Sequence, residues 1–240
     1  IIGAKFGVLT TRHEGGFCLW PTKTTDYSIK NSPYKNGQGD VVGEYAEAFR
    51  KAGLKVGIYH PSFHDSHHMF KPGDDMTWYK GWFRSMAKRM SDPQAYNDFK
   101  KMQLKQIHEL FTNYGEISYI YLDHINERHD IIPKELSDDF WTAIVNKIRW
   151  LQPHCIILMV DSDFVGGHAG KASYPIHYYP GHASFFTCKE TNTPLSGGWF
   201  YRGDHANITV AEAIERYYRT VGHGAVYIPN YAPDKEGGIP

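Results

Sequence analysis

The chain has 240 residues, enough for one domain with a well-buried core, and its 26 Lys and Arg balance 26 Asp and Glu. That balance leaves no overall field to attract nucleic acid or an anionic membrane, and no apolar run reaches membrane-spanning length. Three scattered cysteines, Cys18, Cys155 and Cys188, indicate neither a disulfide framework nor a zinc ribbon, while 15% aromatic residues give ample faces for sugar rings.

Strand-like runs cover Lys5 to Thr10, Leu54 to Tyr59, Ser118 to Leu122, Cys155 to Val160, Ala183 to Thr187 and Ala225 to Ile228. Helical periodicity lies between several of them. The first helix runs from an Asp40 N-cap to Ala52 and stops at Gly53; the second spans Tyr96 to Tyr114 and ends at Gly115. A third covers Asp138 to Leu151 before Gln152 and Pro153, and a fourth Val210 to Val221, closed by Gly222. Alternation of this kind predicts an α/β fold with a parallel sheet and right-handed crossovers. The loops after the strands are long and rich in His, Trp, Asp and Gly, and no glycine-rich phosphate loop follows the first strand. These features favour a (β/α)8-type barrel over an open doubly wound sheet. Ile1-Ile2-Gly3 does not read as a signal peptide, the first residues already enter a strand, and Pro229 to Pro240 trail off in a loop, so the chain reads as cut at both ends.

The strand from Ser118 ends on Asp123, and a carboxylate at that position is delivered to the C-terminal face of a barrel, where such folds do chemistry. The bland reading is a rim Asp that only caps the next segment. After the second strand, His60, His64, Asp65, His67 and His68 invite a metal reading, since neutral imidazole is the commonest metal ligand. No His-x-His or His-Glu-x-x-His spacing supports it.

The stretch from Glu109 to Gly115, Glu-Leu-Phe-Thr-Asn-Tyr-Gly, followed by a short strand and Asp123, resembles the nucleophile strand of the α-L-fucosidases of glycoside hydrolase family 29. The loop from Thr10 to Ser28 resembles the same family, with His13, Phe17, Trp20, Asp26 and Tyr27 at matching places, as do the runs ending in Trp199-Phe200-Tyr201 and in Asp234 to Gly237. The resemblance spans about residue 4 to 240. It implies that residues 1–240 are one glycosidase barrel, partial because the barrel's first strand and helix precede Ile1 and a C-terminal β-sandwich is lacking. It further implies Asp123 as nucleophile, a fucosylated or related glycan as partner, no cofactor and no metal. Secretion or a periplasmic location rests on the resemblance alone, and the oligomeric state stays open.

Substrate ligands implied in this way are His13, Trp20 and Trp199, with departures at Glu14, which replaces a histidine, and at His60, where the family has an aromatic facing the sugar. A carboxylate only accepts when ionised whereas imidazole also donates, so Glu14 changes which hydroxyl can be read. The family's acid/base glutamate is matched by His168 in Gly166 to Gly170. Glu190 keeps its place before the Gly-Trp-Phe-Tyr run and ranks first as acid/base, Asp163 second, with His168 a ligand. The leading expectation is an exo-acting retaining enzyme for terminal α-L-fucose or a relative such as α-L-galactose. Its rivals are a barrel that binds glycan without cleaving it and a metal-dependent hydrolase built on the histidine-rich segment.

Overall fold

The structure, a computed structural model, describes residues 3–61, 64–75, 77, 80–123, 134–158, 164–165, 188–196, 198–201, 203 and 207–238. It divides into two compact units, Ile1–Val160 and Asp161–Pro240. In the first, β1 (Phe6–Thr10), β2 (Lys55–Pro61), β3 (Tyr119–Asp123) and β4 (Ile156–Leu158) pair in chain order, all parallel. Helix α1 (Val41–Lys51) connects β1 to β2, while α2 (Ser66–Met69), α3 (Lys80–Met90) and α4 (Pro93–Asn113) lie between β2 and β3. Helix α5 (Lys134–Leu151) leads to β4.

Local chemistry sets the boundaries. Asp40 accepts the Gly43 N–H at 2.9 Å to start α1, and Asp92 accepts from Gln94 and Ala95 ahead of Pro93, the first residue of α4. Gly53, at φ +74, ends the α1 turn. The sequence pattern gives no element for α2 or α3, and it starts α4 and α5 a few residues late. Of the fourth predicted strand, Ile156–Leu158 is strand and 159–160 lie outside the described residues.

The sheet of the first unit has two unlike faces, because successive strand residues alternate sides. Val56 and Ile58 of β2, Ile120 and Leu122 of β3 and Ile157 of β4 pack with Ala46, Ile107, Leu110, Phe140 and Ile144 in one hydrophobic cluster against the helices. Each such aliphatic side chain, fully buried, contributes roughly 1.5–3 kcal/mol. On the other face, Tyr59 is in register with Tyr121 and Pro61 with Asp123, and the Tyr59 and Tyr121 rings stack at 5.4 Å. Gly57 makes this crowded face possible: a Cβ there would fall 2.7 Å from the Gly7 carbonyl oxygen and 3.3 Å from the Tyr119 ring.

The second unit contains β5 (Phe164–Val165), β6 (Cys188–Pro194) and β7 (Val226–Asn230), parallel and in chain order, with α6 (Val210–Thr220) before β7. A reciprocal capping box between Thr209 and Glu212 opens α6. A 3-10 turn over Val221–His223 follows, and Gly224, at φ +77, closes it in place of the expected Gly222. The predicted strand at Ala183 to Thr187 lies outside the described residues; β6 occupies the next seven, which are too polar to be read as a strand. Among the described residues no helix is long and apolar enough to cross a membrane.

Candidate active site

Asp123 is the last residue of β3, half-buried, and one of its carboxylate oxygens accepts the Tyr59 hydroxyl at 2.7 Å. The same hydroxyl lies 3.3 Å from Nε2 of His13, whose ring is stacked on the Tyr59 ring at 5.3 Å and 4°. Burial, and then the Asp123 charge and hydrogen bond, hold the Tyr59 phenol well above its ordinary pKa, so it remains a donor. Nearby Glu14 acts on the phenol in the same direction. Asp123, Tyr59 and His13 thus form a connected polar chain at the C-terminal end of the parallel strands, with Glu14 close by.

His60 stands elsewhere. It is 1% exposed, on the helix-facing side of β2, with Nε2 3.1 Å from Oε1 of Gln103 and Nδ1 3.4 Å from the Thr11 hydroxyl. Burial, and then the Arg12 guanidinium, push its pKa well below the ordinary value, so the ring is neutral. The aromatic facing Asp123 is Tyr59, one residue earlier; strand alternation makes a one-residue difference a change of face. Trp20 is likewise buried, its indole N–H donating to Glu109 at 2.8 Å, and Thr22 and the Lys23 N–H bind the same carboxylate. It fastens the loop after β1 to α4.

In the second unit, Glu190 lies within β6, 2% exposed, in register with Val226. Neither carboxyl oxygen makes a full hydrogen bond to a described residue. Burial pushes the carboxyl up to about 8, while Asn192, two residues along the same strand, pulls weakly the other way. Trp199 is exposed, its carbonyl accepting from Asn230 at 3.0 Å. Asp163 and His168 lie outside the described residues.

In the histidine-rich segment, His64 Nδ1 is 3.3 Å from Glu14 Oε1 and His68 Nδ1 2.8 Å from Asp65 Oδ1. Among the described residues no three His, Cys, Asp or Glu side chains gather into a metal-binding group. Cys18 is buried and its thiol pushed up to about 12, chiefly by burial, so it is a packing residue.

A family model described as alpha-L-fucosidase matches residues 2–240. The chain belongs to the α-L-fucosidase family. It is 28% identical to alpha-L-fucosidase 1 of Arabidopsis thaliana over 96% of its own length and 44% of that protein. It is 26% identical to the tissue alpha-L-fucosidase of Mus musculus, covering 98% of the chain and 48% of the mouse protein. The solved alpha-L-fucosidase isoenzyme 1 from Paenibacillus thiaminolyticus superposes with a TM-score of 0.77 at 28% identity, over 98% of this chain and 56% of that one. The chain therefore spans about half the length of the fucosidases it matches.

Tyr59 is the candidate-site residue that sequence reading passed over, although a signal for its face was present: Val56 and Ile58 alternate as apolar residues, which puts His60 on their face and Tyr59 on the other. No comparable signal in the sequence marks the buried ties of this family member to Gln103 and Glu109, since glutamines and glutamates on a helix ordinarily face solvent.

Proposed function

We propose that this chain carries the catalytic barrel of an exo-acting, retaining glycoside hydrolase that releases terminal α-L-fucose or a close relative such as α-L-galactose. The observation that carries the reading is Asp123 at the C-terminal end of β3, tied through the Tyr59 hydroxyl to His13. In a (β/α)8 barrel that end is the catalytic face, and parallel strands with helices between them fit such a barrel. The relatives' names support fucose as the sugar.

In this reading the Asp123 carboxylate attacks the anomeric carbon and the glycosidic bond breaks, giving a covalent glycosyl-enzyme that water then hydrolyses. Tyr59 keeps one carboxylate oxygen engaged and so orients the other. Glu190 is the acid: a carboxyl that holds its proton up to about pH 8 can give it to the leaving oxygen at neutral pH and, once ionised, take one from the incoming water. His13, Glu14 and Trp199 serve as sugar ligands, and Asp163 is the reserve acid. Incubation with an aryl α-L-fucoside tests the proposal, with the anomer of the first-formed product read by NMR. Release of the α-anomer supports retention. No turnover of either the fucoside or the α-L-galactoside removes the reading, and β-product first assigns inversion instead.

A further inference from the structure

The histidine-rich segment after β2 has no part in the reaction proposed above, yet its Asp65 is among the most buried charged groups of the first unit. Asp65 and Arg12 form an ion pair with both side chains 0% exposed. The second oxygen of Asp65 is 2.8 Å from His68 Nδ1 and accepts the His68 backbone N–H at 3.1 Å. The Arg12 fork extends further, donating to the carbonyl of Pro61 at 2.7 Å and to Gln103 at 3.1 Å. Pro61 is the β2 residue in register with Asp123. One residue after Asp65, Ser66 donates to the Glu14 carbonyl through its backbone N–H at 2.7 Å and its hydroxyl at 2.9 Å, and His64 pairs with the Glu14 side chain. His13 is therefore bracketed: the residues before and after it are both fastened to positions 64–66. The turn that carries it, closed by Gly16 N–H to His13 carbonyl at 2.9 Å, lies directly on Asp65. Gly16 has φ +87, and a Cβ there would collide with the Asp65 carboxylate and stand 2.9 Å from Cβ of His67.

A buried ion pair is a poor source of stability, because desolvating two charges offsets most of their attraction and apolar replacements commonly do as well. What it supplies is geometry, since the planar guanidinium accepts partners only along its fork. We propose that Asp65 is a positioning residue: through Arg12 it locks the loop after β1 so that the His13 ring lies flat on Tyr59 and the Tyr59 hydroxyl is presented to Asp123. Burial works to raise the Asp65 carboxyl, but Arg12 and then His68 outweigh it, so the pair stays ionised. The proposal rests on Asp123 being the nucleophile of a fucosidase.

Three variants test it: Asp65→Asn, Arg12→Lys, and the paired replacement Arg12→Met with Asp65→Leu. Turnover of an aryl α-L-fucoside, thermal unfolding and the His13 ring signals in NMR, assigned by their loss in His13→Gln, are measured for each. Misplacing a reacting group by about 1 Å can cost about 100-fold, so Asp65→Asn and Arg12→Lys should lower kcat at least about ten-fold and shift the His13 signals. The paired apolar variant should regain the parent's unfolding temperature without regaining kcat or the His13 signals. Recovery of kcat and His13 signals together with stability overturns the proposal, and so does parent-like behaviour of Asp65→Asn. Should the paired variant not fold, Arg12→Lys decides, since it keeps the buried charge and loses the fork. If the parent itself does not turn over, the fucosidase reading fails, and the His13 signals alone judge the latch.

Discussion

In β3, four buried apolar or aromatic residues, Tyr119 to Leu122, lead to a single carboxylate at the strand's end, whereas β6 buries four polar residues in a row, Glu190 to Thr193. Asp123 is half-buried and engaged by a phenol that cannot ionise near neutral pH. Glu190 is enclosed, without a full hydrogen bond to a described residue, and its carboxyl is pushed up to about 8. A retaining glycosidase needs one carboxyl that attacks and one that donates a proton, and environment rather than residue type assigns the roles. A fixed donor suits the first task, and burial away from water suits the second.

The largest expected effect comes from Asp123→Asn, which leaves the Tyr59 contact in place but removes the proposed nucleophile. A loss of at least about 1,000-fold in kcat/KM on an aryl α-L-fucoside corresponds to about 4 kcal/mol of barrier. Circular dichroism should stay unchanged. A loss under ten-fold would put the nucleophile elsewhere.

Glu190→Gln follows. Activity of the parent toward natural glycosides should fall as pH rises through about 8, where the proposed acid loses its proton, and the variant should lose that limb while cleaving glycosyl fluorides nearly as well. Stability has the matching sign. The folded protein keeps a proton that the unfolded chain releases above its ordinary 4.5, so stability falls as pH rises from about 4.5 to about 8, and Glu190→Gln should flatten that slope in urea titrations. A parent whose stability rises over that range would refute the assignment.

Tyr59→Phe deletes only the hydroxyl that touches Asp123. A hydrogen bond to a charged group is worth about 1.5–3 kcal/mol, so kcat should fall roughly 10- to 100-fold with little change in the unfolding temperature. His60→Leu should show the opposite split, because it removes a buried ring and its contacts with Gln103 and Thr11 behind the strand: about 1–3 kcal/mol of stability lost, with kcat/KM within about two-fold of the parent. If His60→Leu instead raises KM with stability intact, the ring touches sugar after all. The smallest effect is expected for Trp20→Phe, which removes the indole donor to Glu109 and about 1 kcal/mol of stability.

The sequence by itself determined the alternation of strands and helices in the first unit, the placement of Asp123 at a strand end and the membership of the family. These follow from local rules: Asp40 caps a helix wherever it precedes one, and a run of Ile, Tyr and Leu between turns extends as a strand whatever surrounds it. Tertiary structure alone decided the rest. Pairing with β3 set Tyr59 beside Asp123, and packing tied His60 to Gln103 in the helix layer; alternation along β2 assigns the two residues to opposite faces, but only the neighbouring strand and helix decide what each face meets. Enclosure turned the polar run at β6 into a strand and raised the Glu190 carboxyl, a property of desolvation that no local pattern encodes. Contacts between residues about fifty positions apart gave the histidine-rich segment its partners, Arg12 and Glu14, because charge pairing depends on distance in space and the sequence records only distance along the chain.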